Sequence, residues 1–335
     1  MDNNDEAGDL EQLDAIDKEH GVNTPMAVEV EKESITNSLG KASNYLPEDV
    51  LSEAADNGWK SLTLELLPSQ GMFYPSGVEL LLKSAKTDEI KHWSTMDELD
   101  PLDVKEKINF ILSKCTNFKI KNQAGRFNFN DYCDVDKYHI LFRIHELTFP
   151  NKENKLMANL RCKSKSCGHV NRIHVTSQNL IGYRTPDHLM QWYDSERRGF
   201  FIPADMNKLN EDLKFFIPTT GMVNKFKEYK KKEKANGNTI DEAFYEVVPY
   251  LITDWRNVTP AVMRDLKISF KGWSKDKYIA VYKFVNEIKK SSLNKAIGVC
   301  EKCKTRLEDH IFLGGSFTTK DIFIVSAGFN EFIGA

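Results

Sequence analysis

The sequence has few cysteines, no long apolar run and no cationic leader. Six cysteines in 335 residues are too few for disulfide bonds to stabilise a chain of this length, so we expect them to bind metal or to pack in the core. No apolar stretch approaches the roughly 20 residues that span a bilayer. The first residues, MDNNDEAGDLEQLD, are acidic where a secretory signal is basic and then apolar. We therefore expect a protein of the reducing cytosol without a membrane partner.

The sequence also lacks the phrases that mark common catalytic sites. It contains no G-x-x-x-x-G-K-[ST], G-x-S-x-G, H-E-x-x-H or G-x-G-x-x-G motif. The net charge is only −3, and residues 1–45 carry eleven acidic and three basic side chains, which leaves about +5 for the other 290 residues. That surplus is weak for a protein that contacts many phosphates. We expect no enzymatic activity and no small-molecule substrate, and nucleic acid is not the favoured partner.

The sequence is 41% apolar, as is typical of a globular protein. Its N-terminal patterns predict both strands and helices. The run SLTLELLPSQGMFYPSGVELLLKSAK has two apolar stretches separated by Pro, Gly and Ser, which predicts a β-hairpin at 61–84. Asp100 and Pro101 supply the N-cap and first position of a helix. Cys115 falls on the apolar face of that helix and is interpreted as a core residue. Another helix is predicted from about Asp134.

Two groups in this N-terminal region have alternative interpretations. The loop residues Met72, Phe73 and Tyr74 either fold back as a local core or anchor a partner protein. Around the helix at Asp134, a metal site built from Cys133, His139 and His145 is conceivable, but no pair has the i, i+4 spacing of helical ligands, so buried histidines are favoured. The carboxylates here are interpreted as charges that stabilise the helix dipole; they are Asp131, Asp134 and Asp136.

The next stretch carries its own helix signals. Thr239 and Glu242 have the spacing of a capping box, Thr259 precedes a first-turn proline, and Ser274 precedes an apolar periodicity. Six lysines lie between 225 and 234 beside Phe226 and Tyr229. They are interpreted as a solvated helix face, with contact to an acidic partner or to nucleic acid as the alternative.

The chemistry of the chain is carried by four cysteines. RCKSKSCGHV places Cys162 and Cys167 on one tight turn, and GVCEKCKTRL places Cys300 and Cys303 on another. Gly168 permits the positive φ that such turns require, and both turns are flanked by short strand-like runs. Two hairpins with a thiolate pair at each tip predict one structural Zn²⁺ per chain in a four-cysteine ribbon. The 132 residues between Cys167 and Cys300 would then be an insertion.

These four cysteines have alternative interpretations. They could be separate core residues, or Cys300 and Cys303 could form a redox pair, although the βαβ context of such pairs is missing. His169 could replace one sulfur. A closed four-thiolate site leaves no open position for substrate, so the metal is expected to hold the fold together.

These patterns together predict an α+β chain in five parts. It comprises an N-terminal β-hairpin plus helices, a split four-cysteine zinc ribbon, and a helical insertion between the zinc half-sites. The boundaries are 1–55 for an acidic flexible tail, 56–150 for the β-hairpin plus helical domain, 151–182 and 294–315 for the split zinc ribbon, 183–293 for the mostly helical insertion, and 316–335 for a C-terminal segment.

One phrase also resembles a known family. LPSQGMFYPSGVELLLKSAKTDEIKHWSTM, followed by a helix ending in ILSKC, is similar to the baseplate proteins of T-even-type contractile-tailed bacteriophages. The opening is matched at Leu67, Pro68, Ser69, Gly71, Tyr74, Pro75 and Gly77. FNDYCDVDKYHILFRIHELTFP resembles the next element of that family, and RCKSKSCGHV resembles its first zinc half-site.

The resemblance covers roughly residues 60–180 and returns at Cys300 and Cys303. It implies a non-enzymatic structural or assembly subunit of the baseplate hub, with other hub or tail proteins as partners. It also implies a location in the host cytoplasm during assembly and then in the tail baseplate of the virion. The alternative is a zinc-ribbon protein that binds nucleic acid through the lysines at 225–234.

Overall fold

The computed structural model describes residues 58–120, 127–150, 155–181, 183–290, 295–310 and 318–323. Helices and small antiparallel sheets are mixed along these residues, as expected for an α+β chain. The predicted acidic tail, 1–55, lies outside the described residues, and so does most of the predicted C-terminal segment.

The N-terminal sheet has three antiparallel strands in the order β1-β2-β3. In the middle strand the side chain of Leu80 is fully buried, opposite Leu62 and Phe118. The predicted hairpin is confirmed, but Leu64–Leu66 forms a 3-10 turn, so the first strand is shorter than its apolar run. The third strand was not predicted. The strands are β1 (Lys60–Leu62), β2 (Val78–Leu82) and β3 (Thr116–Ile120).

Three helices pack beside this sheet: α1 (Thr87–Ser94), α2 (Pro101–Cys115) and α3 (Lys137–Thr148). The Asp100 carboxylate accepts a hydrogen bond from the Leu102 N–H at 2.9 Å, so the predicted N-cap of α2 is confirmed. Cys115 is fully buried at the end of α2, as expected for a core residue. Burial raises its pKa to about 12, which keeps the thiol neutral.

Residues 183–290 combine a sheet with four helices. The helices are α4 (Thr220–Ala235), α5 (Glu242–Val247), α6 (Pro260–Lys271) and α7 (Lys275–Lys290). Thr259 caps α6 as predicted, whereas α5 is capped by Asp241, which accepts from the Phe244 N–H; the predicted capping box at Thr239 is therefore wrong. The sheet was not predicted; it comprises β7 (Tyr193–Asp194), β8 (Gly199–Ile202) and β9 (Leu213–Phe215).

A single buried cluster runs through all of these parts. Leu80 and Phe142 belong to it in the N-terminal region, and so do Phe200, Phe215 and the inward side of α7. A smaller cluster lies between α4, α5 and α6. The segment 318–323 packs against α1: the ring of Phe323 lies 5.0 Å from that of Trp93, whose Nε1 donates to the Lys320 carbonyl at 2.8 Å. The N-terminal sheet, the cysteine hairpins and α7 therefore share one core, and α4, α5 and α6 enclose a smaller one.

Candidate metal centre

Two β-hairpins carry the four cysteines. In the first, β4 (Met157–Arg161) pairs with β5 (Val170–His174), and residues 162–169 form the connection. In the second, β10 (Lys295–Val299) pairs with β11 (Arg306–His310), and residues 300–305 form the connection. A further short strand, β6 (Leu180–Ile181), pairs with β10 and so joins the two halves of the chain.

The four sulfurs come together at the tips of these hairpins. All four Sγ atoms lie within 4.8 Å of one another. The Sγ atoms of Cys162 and Cys303 are 3.5 Å apart, and those of Cys167 and Cys300 are 3.7 Å apart. Four sulfurs bound at 2.3 Å around a tetrahedral ion would be about 3.8 Å apart, whereas a disulfide needs about 2.05 Å. The spacing suits a metal, and both hairpins are needed to complete the set.

The local backbone explains why the thiols converge. Gly168 has φ +55°, which confirms the expectation that the residue after the second cysteine adopts a left-handed conformation. Lys304 takes the corresponding place after Cys303, with φ +59°, and this was not predicted because lysine gives no signal for it. Each loop is closed by its own backbone bonds: Cys162 N–H donates to the His169 carbonyl at 2.8 Å, and Cys300 N–H donates to the Thr305 carbonyl at 2.9 Å.

Electrostatics favour thiolates on the second hairpin. Hydrogen bonding from the Thr305 side chain and backbone lowers the pKa of Cys303 to about 6. The backbone N–H of Cys303 lowers the pKa of Cys300. The Ser164 backbone lowers the pKa of Cys162, but burial and the neighbouring sulfurs outweigh it and raise that pKa to about 12. Because Zn²⁺ binds thiolates, metal binding would release protons from those thiols of the cluster that are protonated in the metal-free chain.

The other metal candidates do not assemble. In the described ranges the four cysteines are the only group of at least three metal-ligating side chains brought within reach of one another. His169 supplies a carbonyl to its loop and is not among the clustered ligands. His139 and His145 are both buried on α3, as the favoured interpretation expected. Burial lowers the pKa of His139 to about 4, so this ring is neutral at physiological pH.

The aspartates before α3 have partners that the helix-dipole interpretation did not foresee. Asp136 is fully buried and accepts from the Ser69 N–H at 2.9 Å, the Ser69 hydroxyl at 2.6 Å and the Tyr74 hydroxyl at 2.9 Å. Asp131 accepts from Trp255 Nε1 at 3.0 Å and from Arg256. These carboxylates join distant segments, and the side chain of Asp136, the N-cap residue of α3, makes no capping hydrogen bond to that helix. Asp134 pairs with Lys137.

The loop of the N-terminal hairpin folds back on its own chain. The ring of Phe73 lies about 6 Å from the rings of Tyr183, Tyr193 and Phe200. The Tyr193 hydroxyl also donates to the Met72 carbonyl. The loop therefore folds back onto the chain, as the first interpretation expected, but the predicted local core is wrong, because the rings that Phe73 contacts belong to residues 183–202.

The lysine-rich helix α4 is partly neutralised. Lys230 pairs with Glu242, and Glu233 and Glu228 of α4 pair with Lys267 and Lys105. Among the described residues, four of its lysines have no ion-pair partner; they are Lys225, Lys227, Lys231 and Lys234. Burial, followed by the charge of Lys137, lowers the pKa of Lys227.

Comparison with known proteins gives no relative on which to base a function. No family model, curated protein or solved structure matches the chain. None of the helices in the described ranges has the length and apolarity needed to cross a membrane.

Proposed function

We propose that Cys162, Cys167, Cys300 and Cys303 bind one structural Zn²⁺ and that the two hairpins form a split zinc ribbon. The observation that carries this proposal is the clustering of all four Sγ atoms within 4.8 Å. A soft four-sulfur tetrahedral set selects Zn²⁺ over the hard cations Mg²⁺ and Ca²⁺. With four protein ligands the ion has no free position, so its role is to hold residues near 162 against residues near 300.

We further propose that the chain is a non-enzymatic structural or assembly subunit of a contractile-tail baseplate, in the hub region. Support comes from where the residues that carry the resemblance lie. Ser69 and Tyr74 belong to the LPSQGMFYP segment, and Asp136 belongs to the FNDYCDVDKYHILFRIHELTFP element. The hydroxyls of Ser69 and Tyr74 both donate to the Asp136 carboxylate. The two segments that resemble the baseplate family thus meet in one buried set of hydrogen bonds. Its polar groups are used for folding, which fits a protein that acts through its shape.

The metal proposal is tested by elemental analysis of the purified chain together with four single Cys→Ser variants. We expect about one zinc per chain and its loss in each variant, because the two hairpins share one ion. Cys115→Ser is the matched control, since Cys115 is a buried residue at the end of α2 and is not among the clustered cysteines. Zinc that survives the loss of both Cys300 and Cys303 would contradict the split ribbon.

The baseplate proposal is tested in the virus that encodes the chain. We expect tails made without the chain to lack complete baseplates in electron micrographs, and a Cys162→Ser version to fail to restore them. A Cys115→Ser version should restore them. Normal tails in the absence of the chain would refute this function while leaving the zinc proposal intact.

The second candidate function, nucleic-acid binding, is favoured only by the four unpaired lysines of α4. It predicts DNA or RNA binding that weakens steeply with salt and is lost when Lys227 and Lys231 are changed to Glu. We expect no binding at low salt, because the body of the chain carries a surplus of only about five positive charges.

A further inference from the structure

Asn171 lies between the two cysteine loops and contacts both. It is the second residue of β5, and only 1% of its surface is exposed. A buried amide side chain needs partners for its donor and its acceptor, because leaving either unmade costs free energy. The partners of Asn171 therefore show what the side chain does.

The amide nitrogen of Asn171 holds the first hairpin. Its Nδ2 donates to the Leu160 carbonyl at 3.3 Å and to the His169 carbonyl at 3.2 Å. The His169 carbonyl also accepts the backbone N–H of Cys162 at 2.8 Å. Asn171 and the backbone of Cys162 thus donate to the same carbonyl oxygen.

The amide oxygen of the same side chain holds the second hairpin. The Glu301 N–H donates to Asn171 Oδ1 at 2.8 Å, across 130 positions of sequence. Glu301 directly follows Cys300. One side chain therefore fixes the backbone beside Cys162 and the backbone beside Cys300, at the point where the two half-sites meet.

Asparagine suits this position because the bridge needs a donor on one side and an acceptor on the other. Aspartate would keep an acceptor for Glu301 but would place a carboxylate against two carbonyls. Alanine would leave the Glu301 N–H without this acceptor and would remove the Nδ2 donor from the Leu160 and His169 carbonyls, of which the His169 carbonyl keeps the Cys162 N–H. The two halves are also joined by the pairing of β6 with β10 and by the Ile297 N–H, which donates to the Asn179 carbonyl at 2.9 Å, whereas Asn171 bonds to the loops that carry the cysteines.

We propose that Asn171 is a positioning residue of the metal centre, which holds the two thiolate pairs in the relative orientation that one ion requires. This inference rests on the proposed zinc site. Groups that orient metal ligands through hydrogen bonds typically contribute 10- to 100-fold to metal affinity. We therefore expect Asn171→Ala to bind Zn²⁺ about 10- to 100-fold more weakly than the unmodified chain.

The measurement is a competition titration of the full chain against a chromophoric zinc chelator. Asn179→Ala is the matched control: the Asn179 side chain accepts from the Thr176 N–H and hydroxyl and donates to the His174 carbonyl, at the end of the hairpin away from the cysteines. The Asn179 backbone carbonyl, which accepts from the Ile297 N–H, is kept in this variant. We expect Asn179→Ala to keep the zinc affinity. Asn171→Asp serves as a second variant should Asn171→Ala fail to fold. It should also weaken zinc binding, because aspartate lacks the donor to the Leu160 and His169 carbonyls.

Replacing zinc by Co²⁺ adds a readout that a general loss of stability would not move. A change in the visible d–d bands of the Asn171 variants, with unchanged bands in Asn179→Ala, would report an altered arrangement of the four sulfurs and support the proposal. An affinity within twofold of the unmodified chain together with unchanged bands would overturn it and leave the zinc site standing. An unmodified chain that binds no zinc would overturn both.

Discussion

Replacing Asp136 by asparagine should change how the stability of the chain depends on pH. Asp136 is fully buried, and burial raises its pKa from the ordinary 3.8 to about 6 despite the hydrogen bonds from Ser69 and Tyr74. Between these two pH values the folded protein binds a proton that the unfolded chain does not bind. The stabilising contribution is thus fully present below pH 3.8 and is lost as the pH rises through about 6.

The magnitude follows from the size of this shift. One pKa unit corresponds to about 1.4 kcal/mol, so full protonation of Asp136 stabilises the folded chain by about 3 kcal/mol relative to full ionisation. About 1 kcal/mol of this difference falls between pH 7 and pH 5. The neighbours Tyr74 and Cys133 do not interfere, because burial raises the pKa of both well above their ordinary values and they stay neutral in this range. Asparagine does not titrate, so the variant lacks this contribution.

The assay is urea unfolding of both proteins at pH 7 and pH 5 with the same zinc concentration. On going to pH 5, the free energy of unfolding of the unmodified chain should rise by about 1 kcal/mol relative to that of Asp136→Asn. Other titrating groups are common to both proteins and cancel in this difference. An equal pH response in the two proteins, or a larger gain for the variant, would refute the reasoning.

Three further changes test other parts of the structure by chemical denaturation. Lys304→Gly should stabilise the chain by about 0.5–1 kcal/mol, because φ +59° is strained for lysine; a loss of stability would contradict this. Gly298→Ala should destabilise it by about 1–2 kcal/mol, because the new Cβ would lie 2.9 Å from Ile173 Cδ1. Adding Ile173→Val, which removes that atom, should restore most of the loss. Phe73→Ala should lower the free energy of unfolding by about 2–3 kcal/mol through its lost ring contacts, and unchanged melting would show that the loop does not join the core. Leu66→Ala, at an exposed position of the same hairpin, is its control and should be nearly neutral.

The parts of the fold that could be predicted from the sequence are those with local causes. Asp100 caps α2 through a bond to a residue two positions away, and Cys115 is placed by the periodicity of the same helix. The cysteine pairs were predictable because thiolates on tight turns have few uses in a reduced protein.

The parts that could not be predicted depend on distant partners. The carboxylate of Asp136 meets Ser69 across 67 positions, and no local pattern distinguishes it from a surface charge before a helix. The role of Asn171 could not be predicted either, because the N–H that its side chain accepts belongs to a residue 130 positions away. The strands β7, β8 and β9 have only two to four residues each, which is too short for an alternation to appear.

The long interval between the two halves of the cysteine cluster has a consequence for synthesis. Cys167 and Cys300 are separated by 133 positions, and a ribosome adds about 5–20 residues per second. The first thiol pair therefore leaves the ribosome about 7 to 27 s before the second can join it. Throughout that interval the nascent chain holds only two of the four cysteines of the proposed zinc site, so tight binding of the ion would be a late event that follows translation of the whole intervening region.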